Sequence, residues 1–367
     1  MNAVSSRPAY RKRLPAQSHP VRGEDMSSPY QPGPQCHPHH LRLIRMGSFV
    51  VPQVLYAAAE LGLADELQSG PKKCRGACWS DEATPSLHRL MRALASLGIL
   101  AEREAQRFDL TPLGEALKSG ASNSARSTLR AFGSLHFQRS WQHFKYSLQT
   151  GKTGMEKEWG VPLFDYLAER PEEASLFSEA MVGFHGNEAR TVARACNFSI
   201  FKNIVDVGGA TGNLLAAILA HHAGPRGVLF DLPHVVRDAS AILRAHGVDE
   251  RVAIQAGDFF RTVPAGGDAY LLSHVIHDWS DEQCLTILGR CREAIGPDGC
   301  LFIVKMVLPL GNAPHPGKLT DIGMLVMLGG RERTEAEYRN LLDRANFRLV
   351  KVVPTESPAS IVEAVPV

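Results

Sequence analysis

The stretch Val205-Asp-Val-Gly-Gly-Ala-Thr-Gly-Asn213 decides the fold of this 367-residue chain. It reads as the end of a strand, a glycine-rich turn and the start of a helix. This order is typical of nucleotide-binding α/β folds, because glycine lets the backbone approach a ligand closely. Asp231 follows roughly 20 residues later, at the end of the next predicted strand, where a carboxylate can accept hydrogen bonds from both hydroxyls of a ribose.

Six further β-rich runs follow the first strand, Ile204–Val207, and alternate with helical stretches. They are Gly227–Phe230, Arg251–Gln255, Asp268–Leu272, Leu301–Val304, Arg348–Val353 and Ser360–Ala364. The alternation predicts an α/β domain over residues 201–367, with a doubly wound parallel sheet and ligand sites beyond the carboxyl ends of its strands. A short loop without a helix joins the last two runs, which predicts an antiparallel hairpin.

The residues around the turn favour one kind of nucleotide ligand. A dinucleotide carries a pyrophosphate, which the carboxylate of Asp206, two residues before Gly208, would repel. The same carboxylate attracts an ammonium group, and S-adenosylmethionine carries an amino group and a sulfonium but no phosphate. Asp258 and Phe259, in the turn after the third strand, are placed to accept from an adenine amino group and to cover its ring. The glycine-rich turn alone is equally compatible with a purely structural role. Its combination with these acids favours a role in binding a cofactor.

A second polar cluster, Ser273-His-Val-Ile-His-Asp-Trp-Ser-Asp-Glu-Gln-Cys284, follows the fourth strand. Ser280 and Gln283 have the spacing of a capping box, so a helix should begin near Asp281. His277 then lies in the loop before that helix, at the ligand-binding edge of the sheet, and is the candidate for chemistry. His274 is interpreted as structural, because an isolated histidine more often is.

Residues 37–145 have a helical pattern that ends in two short β-rich runs, Ile99–Arg103 and Arg107–Pro112, which is the order of a winged helix. Residues 37–120 carry ten Lys or Arg and nine Asp or Glu, whereas a DNA-binding protein concentrates basic side chains on one face. A module for dimerisation and for covering the substrate is therefore favoured over DNA binding. Residues 146–200 are predicted to be a helical linker that contributes to the substrate pocket.

Residues 1–36 are expected to form a disordered leader, since six prolines and the lack of clustered hydrophobes prevent a core; Met26 is a candidate for the true first residue. Cys36-His-Pro-His-His40 and the pair Cys74 and Cys78 superficially suggest metal ligands, but no second ligand cluster completes a site, so no metal is predicted. Seven scattered cysteines, a net charge of +2 and no long apolar run predict a reduced cytoplasmic protein without nucleic-acid or membrane partners.

Five motifs together resemble those of the caffeate-type small-molecule O-methyltransferases, and more specifically their bacterial relatives that act on natural-product aromatics. The motifs are Val205-Asp-Val-Gly-Gly-Ala-Thr-Gly212, Phe230-Asp-Leu-Pro233, Gly257-Asp-Phe-Phe260, His277-Asp-Trp-Ser-Asp281 and Gly330-Arg-Glu-Arg-Thr334. The resemblance extends from about residue 38 to the end of the sequence. It implies a Rossmann-like, seven-stranded methyltransferase domain that binds S-adenosylmethionine. It also implies a homodimer formed through an N-terminal, all-helical winged-helix dimerisation domain.

The motifs and the resemblance together assign roles to individual residues. The predicted cofactor-binding residues are Asp206, Gly208, Gly209, Gly212, Asp231, Leu232, Asp258, Phe259 and Ser273. The resemblance implies that His277 is the catalytic base and that Glu332 orients it. Phe164 and Met181 fall where relatives line the acceptor pocket, with ordinary core packing as an equal alternative, and Asp278 is assigned to the pocket as well.

Two positions depart from the family pattern. Ala210 replaces a common third glycine, a small change that should leave the turn intact. Lys305 stands where plant relatives carry a second acid beside the base. We expect this lysine to extend its charge into solvent. The alternative is that it lies near His277 and lowers the pKa of the imidazole.

The predicted reaction is an in-line displacement on a small aromatic or polyketide-like metabolite. An acceptor hydroxyl attacks the sulfonium methyl while His277 takes the proton. No metal is required, because the sulfonium already activates the methyl group. Two alternatives stay open: an enzyme of the same fold that performs N-methylation, decarboxylation or hydroxylation, and, more distantly, a winged-helix transcriptional regulator.

Overall fold

The computed structural model describes residues 39–73, 84–121 and 124–367. The predicted leader, Cys36 and the pair Cys74 and Cys78 lie outside these residues. The chain divides into two units, Met1–Gly47 and Ser48–Val367, and the second contains both the predicted winged helix and the predicted sheet. In the described ranges no helix has the length and apolar character needed to cross a membrane.

The bounds of the regular elements follow the predicted order. In the described residues the α-helices are α1 (His39–Met46), α2 (Val50–Glu60), α3 (Leu63–Leu67), α4 (Thr84–Ser96), α5 (Pro112–Glu115), α6 (Arg126–Phe132), α7 (Leu135–Gln142), α8 (Phe144–Thr150), α9 (Gly154–Trp159), α10 (Leu163–Ala168), α11 (Pro171–His185), α12 (Glu188–Ala195), α13 (Asn213–His221), α14 (Ala239–Ala245), α15 (Asp281–Ala294), α16 (Gly317–Met327) and α17 (Glu335–Arg344). The strands are β1 (Lys72–Lys73), β2 (Leu100–Arg103), β3 (Arg107–Leu110), β4 (Asn203–Val207), β5 (Arg226–Asp231), β6 (Val252–Ala256), β7 (Ala269–Ser273), β8 (Cys300–Lys305), β9 (Val307–Leu308), β10 (Arg333–Thr334), β11 (Phe347–Pro354) and β12 (Ser360–Pro366).

The predicted winged helix is formed by α2 to α4 and the antiparallel hairpin of β2 and β3. Its core contains Met91 and Leu94 of α4 and Phe108 of β3, all buried. The sequence did not predict the two-residue strand β1, which pairs with β3 and completes a three-stranded sheet. Apart from this small sheet, the described part of the domain is helical.

The large sheet has seven strands in the order β11-β12-β8-β7-β4-β5-β6. Strands β4 to β8 within it are parallel, and β12 runs antiparallel to both β8 and β11, which confirms the predicted hairpin. Its central strands are buried on both faces between two hydrophobic clusters, as near-continuous apolar runs require. The chain leaves β4 toward β5 and later returns to β7 on the other side, which places a ligand crevice beyond the carboxyl end of β4.

A helical layer covers this crevice. Helices α7, α9 and α10 share a buried cluster with the end of α16, in which Met155, Leu163 and Met327 are almost completely buried. Because α16 follows β9, the cluster ties the helical segment to the sheet domain. The layer therefore forms a wall above the edge of the sheet where the predicted site residues lie.

Candidate active site

The glycine-rich turn joins β4 to α13 and has the shape of a cradle. Gly208 has φ +69°, and a Cβ atom there would lie 2.7 Å from the Val275 side chain. Ala210 also adopts a left-handed conformation, with φ +50°, so the turn forms despite the missing third glycine. The carboxylate of Asp231 closes the cradle, because it accepts hydrogen bonds from the backbone N–H groups of Ala210 (2.9 Å) and Leu232 (2.7 Å).

Asp206 supplies a buried acid next to this turn. Neither of its carboxylate oxygens has a hydrogen-bond partner among the described residues, and the side chain is fully buried. Burial, followed by the negative charge of Asp231, raises the pKa of Asp206 to about 7. A buried acid without a partner is costly, and a ligand ammonium group would compensate for that cost. This orphaned carboxyl group therefore fits the amino group of S-adenosylmethionine.

One cavity of about 1290 Å³ extends from the turn to the helical layer. All predicted site residues except Gly212 and Glu332 line it. Gly212 lies under the turn, where a Cβ atom would meet the Leu229 side chain at 3.1 Å. Glu332 lies behind His277. The structure thus brings the predicted cofactor residues, base and acceptor-pocket residues to a single cavity.

The backbone at Gly208 leaves no room for a side chain. Gly208→Ala should lower the free energy of unfolding by about 1–2 kcal/mol or more, because the residue has a left-handed conformation and its Cβ would clash with Val275. It should also weaken binding of the cofactor. Gly247→Ala is the matched control, since Gly247 has φ +66° but nothing within 4 Å of the added Cβ. Denaturant unfolding and calorimetry should show strain in both variants and reduced affinity only in Gly208→Ala; equal affinities would contradict the cradle.

His277 and Glu332 form a buried pair. His277 lies in the short turn Ile276–Asp278 after β7, before the predicted capping box of Ser280 and Gln283, which the structure confirms. Glu332 is the residue before β10. Because β10 pairs in parallel with β9, Glu332 is held behind His277. The Nδ1 atom of His277 lies 3.1 Å from Oε1 of Glu332. Burial, followed by the charge of Lys305, holds the pKa of His277 well below its usual range, so the imidazole is neutral.

Asp278 lies on the other side of the imidazole. Its Oδ1 atom is 3.2 Å from Nε2 of His277. Burial is the largest effect on the carboxyl group and raises its pKa to about 8. The raised pKa reduces the negative charge that Asp278 places beside Nε2 at neutral pH. Since Asp278 lines the cavity, Nε2 is the nitrogen of His277 on the ligand side.

The expectation that Lys305 reaches solvent is wrong. Its side chain is 2% exposed, and Nζ lies 3.1 Å from Oε1 of Glu332 and 2.9 Å from Nδ1 of His274. Strand β8, which ends at Lys305, lies inside the sheet between β7 and β12, so the lysine stem meets protein instead of water. The buried carboxylate of Glu332 provides the partner that such a charge requires.

His274 belongs to the same group of buried side chains. It is therefore not the isolated structural residue that the sequence suggested. It has φ +54°, its Nε2 contacts Oε1 of Glu188, and its ring stacks on His185 with centroids 3.7 Å apart. Burial, followed by the electrostatic effect of the neighbouring His274 imidazole, lowers the pKa of His185 to about 3. Sequence reasoning missed His185 and Glu188, because they end α11 and begin α12 without a local motif.

The acceptor side of the cavity is aromatic. Phe164 lies with its ring centroid 5.7 Å from that of Trp279 and 6.5 Å from that of Phe177. Met181 also lines this side. Phe177 and Trp279 were not singled out from the sequence, since their position depends on how the helical layer packs on the sheet. No group of His, Cys, Asp or Glu in the part of the chain that the structure describes is arranged to hold a metal ion.

The doubly wound sheet, the cradle at its switch point and the buried His277 in the same cavity are features of an α/β protein that binds a nucleotide-like ligand. A family model described as an O-methyltransferase domain matches residues 141–348, and one described as an O-methyltransferase dimerisation domain matches residues 44–120. The chain therefore belongs to the O-methyltransferase family, which confirms the resemblance found in the sequence, and it is an S-adenosylmethionine-dependent methyltransferase.

Individual relatives agree with this assignment. The phenazine O-methyltransferase of Lysobacter antibioticus is 42% identical over 318 residues, which cover 86% of this chain and 93% of the relative. The crystal structure of LaPhzM matches with a TM-score of 0.85 at 41% identity and covers 90% of this chain and 100% of that chain. An O-methyltransferase from neocarzinostatin biosynthesis, solved with S-adenosyl-L-homocysteine and 1,4-dihydroxy-2-naphthoic acid, matches with a TM-score of 0.76 at 28% identity and covers 89% of this chain and 99% of that chain.

Proposed function

We propose that this protein methylates a hydroxyl group of a small aromatic metabolite, with His277 as general base and Glu332 as the residue that orients it. The observation that carries the proposal is the buried pair of His277 and Glu332, in which His277 lines one cavity with the glycine-rich cradle and an aromatic wall, and Glu332 lies behind it. Bound S-adenosylmethionine supplies a methyl group activated by its sulfonium. The protein must then position the acceptor and remove its proton.

The pair leaves one nitrogen of His277 available for this task. The carboxylate of Glu332 accepts a hydrogen bond, so the neutral imidazole carries its proton on Nδ1 and has a lone pair on Nε2. Nε2 is the nitrogen beside Asp278 at the cavity. An acceptor hydroxyl placed there could transfer its proton to Nε2 while its oxygen bonds to the methyl carbon, the bond from that carbon to sulfur breaks and S-adenosylhomocysteine leaves. Burial and the nearby charge of Lys305 together keep the imidazole neutral across the neutral pH range.

The cradle residues are proposed to hold the cofactor. Asp231 is assigned to the ribose hydroxyls, Asp206 to the ammonium group, and Asp258 with Phe259 to the adenine. The remaining assigned residues, whose backbone or side chains shape the cradle, are Gly208, Gly209, Gly212, Leu232 and Ser273. Unlike a pyrophosphate, the cofactor brings positive charge toward the buried acid Asp206, which agrees with the electrostatics of the turn.

The acceptor is proposed to be a planar aromatic molecule. Phe164, Phe177 and Trp279 form a wall against which aromatic rings can stack, and Met181 adds an adaptable surface. The naphthoic acid bound to a neocarzinostatin-pathway relative agrees with an acceptor of this kind. The cavity of about 1290 Å³ exceeds the roughly 300–1,000 Å³ of ordinary ligand pockets and so has room for cofactor and acceptor together.

Product analysis tests the proposed function. The protein is incubated with methyl-deuterated S-adenosylmethionine and a panel of phenols, naphthols and phenazinols, together with matched arylamines and matched methyl ethers. Mass spectrometry should find a deuteromethyl ether from at least one hydroxylated arene and no product from its methyl ether. Transfer only to the arylamines would replace O-methylation with N-methylation, and a demethylated, decarboxylated or hydroxylated product without methyl transfer would overturn the proposal.

We also propose that the protein is a homodimer, the state that the matched dimerisation domain favours. The helices between 41 and 145 carry more apolar positions than a winged helix needs, and Phe49 and Leu135 in this range are largely exposed in the chain alone. Exposed apolar side chains of this kind are available for an interface between two copies, and obligate interfaces commonly bury more than about 2,000 Å². Light scattering at micromolar concentration should find a particle of twice the 40.1 kDa chain mass. A particle of 40.1 kDa would contradict the dimer.

We also propose that the protein is located in the cytoplasm. The cysteines in the described residues, Cys196, Cys284, Cys291 and Cys300, are free thiols. Burial raises the pKa of Cys291 and of Cys300 to about 12, so both are inert in the folded protein. Free buried thiols suit a reducing compartment.

A further inference from the structure

A chain of buried ionisable groups extends from the base across the end of the sheet. His277 Nδ1 lies 3.1 Å from Glu332 Oε1, which lies 3.1 Å from Lys305 Nζ. Lys305 Nζ lies 2.9 Å from His274 Nδ1, and His274 Nε2 contacts Glu188 Oε1. None of the five side chains is more than 12% exposed. Lys305 therefore joins two pairs, each made of one histidine and one glutamate.

The chemistry of the lysine fixes where the protons lie. An ammonium group only donates hydrogen bonds, so Nδ1 of His274 must accept from Lys305. Neutral His274 then carries its proton on Nε2 and donates it to Glu188. On the other side, Glu332 Oε1 accepts from Lys305 and from Nδ1–H of His277. The two histidines, whose ring centroids are 5.7 Å apart, thus have opposite tautomers.

The charge of Lys305 also determines what Glu332 does to the base. A buried carboxylate without another partner would favour an imidazolium at His277, and a charged imidazolium cannot accept a proton. With the ammonium of Lys305 at 3.1 Å, the charge of Glu332 is already compensated. Glu332 then orients the imidazole without charging it.

We propose that Lys305, His274 and Glu188 are positioning residues of the active site. This proposal rests on the proposed role of His277 as base. Lys305 holds Glu332 in place and compensates its charge, while Glu188 and His274 hold Lys305 from the other side. The network keeps His277 neutral, with its proton on Nδ1 and its Nε2 free for the acceptor.

Other ionisable groups also face His277. Lys305, His185 and Arg333 lower the pKa of the imidazole after the larger effect of burial. Arg333 is held by Asp281 at 2.7 Å, and Asp278 lies beside Nε2. After burial, Lys305 has the largest effect on the pKa of His277, so removing the charge of Lys305 should raise that pKa more than removing the charge of Arg333.

Replacing the lysine by a neutral side chain of similar length tests the network. In Lys305→Met the pKa of His277 should rise, so the acid limb of the kcat profile should move to higher pH, by about 1–3 units. Lys305→Arg retains the charge and should keep the limb near its wild-type position even if kcat falls. Lys351→Met is the matched control, because Lys351 is exposed at the edge of the sheet and pairs only with Glu363, at 3.2 Å, in the described residues. Superimposable profiles for wild type and folded Lys305→Met would overturn the proposal.

A spectroscopic experiment on the wild-type protein needs neither a variant at Lys305 nor an acceptor. Spectra of ¹⁵N-histidine-labelled protein should show His277 protonated on Nδ1 and His274 protonated on Nε2 at neutral pH. The two signals are assigned by their loss in His277→Ala and His274→Gln. Identical tautomers, or an imidazolium at His277, would reject the network. A failure of methyl transfer with the opposite tautomers intact would instead count against the proposed function.

Discussion

His277→Ala is expected to lower kcat by about 10²- to 10⁴-fold, the range for loss of a general base. The substitution removes Nε2, the atom proposed to accept the proton of the acceptor hydroxyl. Cofactor affinity should remain nearly unchanged, because the cradle around Gly208 and Asp231 does not depend on the imidazole. Single-turnover rates and calorimetric titration of S-adenosylhomocysteine measure the two quantities separately.

Two further variants distinguish a base from a residue that only supports the fold. His221→Ala removes an exposed histidine at the end of α13 and should leave kcat unchanged. Glu332→Gln keeps an oxygen that can accept from Nδ1 of His277 but removes the charge next to Lys305, so kcat should fall less than in His277→Ala. Full activity in a folded His277→Ala protein would reject the base mechanism altogether.

Most of the fold could be predicted from the sequence because it is encoded locally. The strands β4, β5, β7 and β8 are apolar runs that end at glycine or polar residues, and the helix α15 begins at a capping box. Signals of this kind act within a few residues of the chain. The two-residue strand β1 has no such signal, since it exists only because the backbone of β3 is available to pair with it.

The active site was less predictable, because its contacts join distant parts of the sequence. His277 and Glu332 are 55 residues apart, and the resemblance to a known family suggested their pairing where spacing did not. The expectation that a flexible lysine extends its charge into solvent was wrong for Lys305. The burial of its side chain depends on the strands and helices around the end of β8. Glu188 is 86 residues from its partner His274 and could only be found in three dimensions.

Asp231→Ala is expected to weaken binding of S-adenosylmethionine and of its demethylated product by about 1.5–3 kcal/mol, the usual loss for hydrogen bonds to a charged group. This corresponds to roughly a 10- to 150-fold increase in Kd. The structure adds a second reason, because the same carboxylate closes the cradle through the N–H groups of Ala210 and Leu232. Without it, those groups lose their partner and the turn is free to open.

The two causes can be separated with Asp231→Asn. The amide oxygen can still accept from Ala210 N–H, although the amide nitrogen cannot accept from Leu232 N–H, so the cradle should stay closed on the side of Ala210, while one ribose acceptor and the charge are lost. Its Kd should therefore lie between those of wild type and Asp231→Ala. Asp249→Ala, which removes an exposed acid between α14 and β6, is the control and should bind like wild type. If calorimetry finds the same affinity in Asp231→Ala as in wild type, the ribose is bound elsewhere. The assignment of the whole cradle to the cofactor would then be wrong.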